Sequence, residues 1–179
     1  MKNFTVPTRD EVSPENQGLF DTLTKVVGKV PNLYGVLAHS DHALANYLTL
    51  QNGKTSLRAK EREVINLIVS QVNDCIYCLS AHTAIAKMNG FTDDQVIELR
   101  GGSASFDAKL DALVKVTKSI TENKGHADEA LLDAFYAAGY TQGNLLDVVI
   151  AVGDKTITNY VYALTKVPVD WPAIPELVN

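Results

Sequence analysis

The chain holds two cysteines, which stand together as Cys75-Ile76-Tyr77-Cys78, with His82 four residues further on. Two thiols three positions apart on a helix have Cα atoms about 5 Å apart, within the range a disulfide spans. Such a pair can cycle between dithiol and disulfide with little backbone movement. At about 100° per residue, positions 75, 78 and 82 fall within roughly 60° of one another and share one helix face. A helix N-terminus favours negative charge and hence the thiolate. A histidine on the same face can accept a thiol proton directly or through water. One short segment therefore supplies a nucleophile, a resolving thiol and a base. Spacing leaves the attacking sulfur open. Cys75 lies nearer the helix terminus and gains more from the dipole, whereas Cys78 lies one turn from His82, where i and i+4 side chains meet.

Other readings of the same residues compete. Two buried cysteines can be inert small hydrophobes. A structural zinc needs four ligands, and His39, His42 or His126 would have to supply the fourth by tertiary contact. His82 can be an ordinary core histidine. A thioredoxin arrangement would set the motif beside a βαβ pattern, but no alternating strand pattern extends beyond Phe4-Thr5-Val6.

The elements that must position the motif read as helices almost throughout. Ser13-Pro14-Glu15 is a helix start, and Phe20, Leu23, Val26 and Val27 recur at helical spacing until Gly28 and Pro31. A second helical stretch runs from Asn32 or Leu33 to Gln51, with a break at Ser40-Asp41, and ends at Asn52-Gly53. Ser56 is expected to cap a helix striped by Val64, Ile65, Ile68 and Val72, and Asp74 to cap the motif helix, which closes at Asn89-Gly90. Thr92 with Gln95 predicts a capping box. Gly101-Gly102-Ser103 reads as a hinge, and further helices are expected over about 107–123, 128–137 and 142–164. The proline-rich tail Val167–Pro175 is expected to dock as an extended arm. Tyr160 and Tyr162 are candidates to pack against the motif helix. Val148-Val149-Ile150-Ala151-Val152 suits either a buried core or a subunit interface.

The expected fold is all-α, with one domain over 1–179: an N-terminal helical arm to about 55, a motif region at about 57–90, and C-terminal helices and tail at about 105–179. Hydrophobic residues make up 46%, enough for a core without disulfide staples. The net charge of -5, and acidic residues interrupting the densest basic stretch (Lys54 to Arg62), argue against nucleic-acid binding. The first residues lack the apolar core of a secretory signal, and no apolar run approaches the roughly 18 residues of a membrane span. The expectation is a cytoplasmic protein, in which a disulfide is more often catalytic than structural.

Glu63, eleven residues, Cys75-x-x-Cys78, then x-x-x-His82 resembles the signature of AhpD-like alkylhydroperoxidases, which share an all-helical fold with the γ-carboxymuconolactone decarboxylases. The likeness is most specific over about 57–90 and extends more loosely to the flanking helices, the Asn159-Tyr160 region and the tail. The resemblance implies an AhpD-like helical bundle with the CxxC at the start of a central helix. It implies that Cys78 attacks a hydroperoxide, that Cys75 resolves the sulfenic acid as a disulfide, and that His82 relays the proton with Glu63. It also implies an external dithiol reductant, no cofactor or metal, and a homo-oligomer. Taken alone, Glu63 reads as a solvated surface acid. One departure stands out: Tyr77 occupies a position where some members carry histidine, which bears on the proton relay. The decarboxylase branch lacks the paired cysteines. A thiol–disulfide oxidoreductase, or a non-catalytic redox sensor or interaction protein, is the alternative.

Overall fold

In a computed structural model, which describes residues 4–175, the chain is helical and contains no strand among those residues. After a 3-10 turn at Arg9–Glu11 come α1 (Pro14–Val27), α2 (Asn32–Leu37), α3 (Ala43–Gln51), α4 (Ala59–Val72), α5 (Ile76–Met88), α6 (Asp93–Gly101), α7 (Ala108–Glu122), α8 (Glu129–Ala137) and α9 (Gln142–Thr165). The chain forms two compact units. One takes in residues up to Gly53 together with Tyr160–Asp170, and the other takes in Lys54–Asn159 and the chain from Trp171.

In the first unit, the Ser13 side chain accepts from the Asn16 N–H and Pro14 opens α1, while Gly28 ends it at φ 85°, in the left-handed region that suits glycine. Phe20 and Leu23 of α1 pack with Ala38 and Leu44. His39 faces the N-terminal arm, its Nε2 lying 2.8 Å from the Thr5 carbonyl. The extended tail joins the same unit: Lys29 pairs with Asp170, and the Asn32 side chain donates to the Pro168 carbonyl at 3.0 Å. Tyr160, expected to pack inward, is exposed, and the Lys166 ammonium lies over the Tyr162 ring.

The second unit is built around α4. Its apolar stripe widens until Val64, Ile65, Leu67, Ile68 and Val69 are all fully buried, because α5, α6 and α7 pack against it from different sides. Leu99 and Val96 of α6, Leu113 and Val114 of α7, Phe135 of α8 and Val148 of α9 complete one core. That core runs across the expected hinge at Gly101-Gly102. Gly102 is simply the left-handed C-cap of α6, at φ 94°. Thr92 and Gln95 do form the expected reciprocal cap. The tail also docks in this unit, where Arg100 donates to the Pro175 carbonyl at 2.7 Å.

Two caps differ from expectation. Arg58, not Ser56, precedes α4, with its N–H bound by the Glu61 carboxylate at 2.7 Å. Ser56 is drawn instead to Asp147 and Asn144 around the start of α9. Asp74 does not cap α5: it turns the chain at φ 51°, and the cap falls to Cys75. No helix among the described residues is long and apolar enough to cross a membrane.

Candidate functional site

The tight junction between α4 and α5 sets the thiols. The turn at Asp74 lets the Cys75 N–H reach the Ser70 carbonyl at 2.9 Å, which pins the first cysteine to the last turn of α4. The Cys75 sulfur then occupies the N-cap place and accepts the Cys78 N–H at 3.3 Å. A sulfur thus satisfies one of the amides that every helix start leaves unpaired. Both cysteines are free thiols, and both are buried, at 1% and 2% exposure.

α5 packs along α4, and that contact brings Glu63 to His82. Glu63 Oε2 lies 2.8 Å from His82 Nδ1, and Glu63 Oε1 accepts from the Asn66 side chain at 3.0 Å. Glu63 is therefore buried and bound rather than a solvated surface acid; its exposure is 6%. An ionised carboxylate only accepts hydrogen bonds, so the His82 proton sits on Nδ1 and Nε2 is the nitrogen left for chemistry. Burial pushes the Glu63 carboxyl up, but the neighbouring charge and hydrogen bond of His82, the Lys155 charge and the Asn66 bond together outweigh it. The carboxyl ends below its usual range and stays ionised. The pair forms with Tyr77 in place; the Tyr77 side chain is buried.

The two thiols interact too closely to ionise together, so one charge is shared between them. Cys75 is pushed up, first by its hydrogen bond to Cys78, then by burial and the Cys78 charge. Cys78 is lowered to about 6: the hydrogen bond from Cys75 leads, burial opposes it, and the charges of Lys155 and His82 and a hydrogen bond from Asn159 add to it. Cys78 is thus the lowered thiol of the two, first through the hydrogen bond from Cys75 and then through the charges of Lys155 and His82.

Two contributors come from α9: Asn159, which the sequence marked only as part of a looser likeness, and Lys155, which it did not single out. Asn159 donates to Ser70 Oγ at 3.3 Å, accepts from the Asn73 side chain at 2.9 Å and acts to lower both thiols. Lys155 is 2% exposed. A signal for both was present: positions 148, 152, 155 and 159 repeat at 4-3-4 spacing, and Val148 is core, so a lysine and an asparagine interrupt an apolar stripe. His39, His42 and His126 join no such cluster; among the described residues no three His, Cys, Asp or Glu side chains are arranged to hold a metal ion. A groove of about 240 Å³ lined by Ser80, Thr83, Lys87, Asp93, Pro172 and Pro175 uses the reverse side of α5, away from Cys78.

The fold is that of the AhpD-like helical proteins. A peroxidase-related protein with an AhpD core from Ralstonia eutropha JMP134 superposes with a TM-score of 0.84 at 18% identity, over 94% of this chain and 92% of that one. A peroxidase-related protein from Silicibacter sp. TM1040 gives 0.78 at 24% identity, over 93% of each chain. The debrominase Bmp8 gives 0.78 at 15% identity, over 95% of this chain and 93% of its own. No curated protein matches the sequence. Residues 39–119, a little under half of the chain, match the model of the carboxymuconolactone decarboxylase family. The matched segment carries Glu63, Cys75, Cys78 and His82.

Proposed function

We propose that the protein is a thiol-dependent peroxidase that reduces organic hydroperoxides through Cys78. The observation that supports this best is the joining of the paired thiols to a buried Glu63–His82 couple, with Cys78 the more acidic sulfur. In the first step His82 Nε2 takes the Cys78 thiol proton, and the thiolate attacks the terminal oxygen of ROOH. The O–O bond breaks, a sulfenic acid forms, and the alkoxide takes a proton from His82 to leave as ROH. In the second step the Cys75 thiol gives its proton to His82 and attacks the Cys78 sulfur; a disulfide forms, and the leaving hydroxide takes that proton from His82 to depart as water. An external dithiol then reduces the disulfide by exchange and is itself oxidised. Glu63 fixes the imidazole tautomer and supports its charge when it holds the proton.

Burial of both sulfurs favours reagents that present a slim reactive end, as a hydroperoxide does. The test is a free-thiol count on reduced protein, before and after one equivalent of an organic hydroperoxide. Loss of both thiols within seconds, and no loss in Cys78→Ser, is the expected result. Survival of both thiols for many minutes overturns the reading in favour of disulfide exchange or a non-catalytic role. The same reading includes a homo-oligomer, favoured by Leu146, Val149, Ile150 and Ile157, which α9 leaves exposed. Sedimentation of Ile150→Glu against the parent tests it; an unchanged mass counts against this face.

A further inference from the structure

We infer that Lys155 is a positioning residue of the thiol site: a buried cationic side chain, delivered by α9 one turn from Asn159, that holds the Cys78 sulfur ready as the nucleophile. The inference rests on the reading of Cys78 as the reactive sulfur, and not on the identity of the oxidant.

Lysine is almost never fully buried unless it is paired, because an ammonium taken out of water needs compensating charge. Lys155 is 2% exposed, so its side chain is packed almost wholly within the protein. Among the described residues its ammonium makes no ion pair or hydrogen bond. Asp154, its neighbour in sequence, points about 100° away around the helix. The placement of Lys155 explains its burial. It lies one turn before Asn159, which is tied to Ser70 and Asn73 at the mouth of α5, and two turns after Val148 in the core. The anionic groups that its charge reaches are Cys78 and Glu63.

The groups facing Cys78 are Cys75 and His82 from α5, Lys155 and Asn159 from α9, and, behind His82, Glu63 from α4. Only two of these can be cationic. Of the two, His82 is the one bound to the Glu63 carboxylate. His82 must also release and accept the proton during turnover. A cation that does not take part in proton transfer is what keeps the sulfur charged through that exchange.

The experiment follows alkylation of Cys78 by iodoacetamide against pH in the reduced full-length protein, with the alkylated site read by peptide mass. The parent is compared with Lys155→Met, Lys155→Gln and Lys155→Arg, each checked for helicity and cooperative melting. Removing the charge is expected to raise the midpoint of Cys78 reactivity by about one pH unit or more, a roughly tenfold loss of thiolate on the acid side of the midpoint. Lys155→Arg is expected to stay near the parent. If Lys155→Met does not fold, Lys155→Gln, which can hydrogen-bond in the same space, carries the comparison. An unmoved midpoint in a folded uncharged variant overturns the inference, as does a shift in Lys155→Arg equal to that of the uncharged variants. Failure of the peroxidase reading would show separately, as thiols inert to hydroperoxide with the lysine-dependent midpoint intact.

Discussion

Glu61 and Glu63 are both buried acids on α4, two positions apart and so on opposite sides of the helix, and they serve different ends. Glu61 accepts from the Arg58 N–H at 2.7 Å, from the Arg58 guanidinium at 2.9 Å and from the Tyr140 hydroxyl at 3.1 Å. Tyr140 in turn stacks on Phe135, with ring centroids 4.4 Å apart. That cluster closes the start of a helix. Its cation is an arginine, which does not release its proton at any ordinary pH. Glu63 has a titratable partner, His82, which stands beside a pair of thiols. Both carboxyls lie below their usual range: burial opposes in each, hydrogen bonds prevail at Glu61, and the His82 charge with hydrogen bonds prevails at Glu63. A buried, depressed carboxylate is thus no sign of function in itself. The partner differs: a fixed charge makes a brace, and a histidine ring beside the paired thiols is the arrangement we propose as a relay.

Substitutions at the two acids and at the thiols separate the brace from the proposed relay. The largest effect is expected from Cys78→Ser, which should cut peroxide-driven thiol loss by on the order of a thousandfold or more by removing the nucleophile. Cys75→Ser should leave the first oxidation in place and stop the cycle at the sulfenic acid, read as a trapped dimedone adduct. His82→Gln should slow oxidation by roughly a hundredfold or more, the usual scale of proton transfer by a positioned side chain. Glu63→Gln should cost about tenfold or more, with a changed pH profile, since the imidazole loses its anionic partner. Glu61→Gln supplies the contrast: a loss of about 1–3 kcal/mol in denaturant unfolding, with the oxidation rate of the folded protein unchanged. A large rate loss in Glu61→Gln, or none in Glu63→Gln, would dissolve the distinction. Tyr140→Phe should show the smallest effect, about 1 kcal/mol, again without a rate change.

The pH dependence follows from the same charges. The Cys78 thiol is held near pH 6, below an ordinary thiol. A group whose folded pKa is depressed is charged above that pKa and protonated below it. Oxidation should therefore be near its plateau at pH 7.5 and fall as pH drops through about 6, measured as stopped-flow thiol loss. A midpoint near an ordinary thiol, at about 8.5, would count against the assigned electrostatics.

Much of the fold was legible in the sequence because it is written in local chemistry. Ser13-Pro14, Thr92 with Gln95, and the glycines at 28 and 102 mark helix ends through interactions within one turn of the chain. The motif was legible for the same reason: Cys75, Cys78 and His82 share a face by helical spacing, and the structure keeps them on one helix apart from Cys75 at its cap. The failures were also local. Ser56 looked like a cap but found Asp147, 91 residues away, and Asp74 gave up the cap to a cysteine once the chain turned through a left-handed conformation.

By itself the sequence determined where the helices start and stop and which three side chains share the face of the motif helix, since those depend on neighbours within a turn. Its resemblance to a family named Glu63, but the residue alone read as a surface acid. The tertiary structure alone decided that Glu63 is buried against His82, that Cys78 rather than Cys75 carries the shared charge, and that α9 brings Asn159 and a buried Lys155 to the thiols. The physical reason is common to all three. Charge states are set by burial and by groups brought from other helices, and neither is fixed until the helices pack.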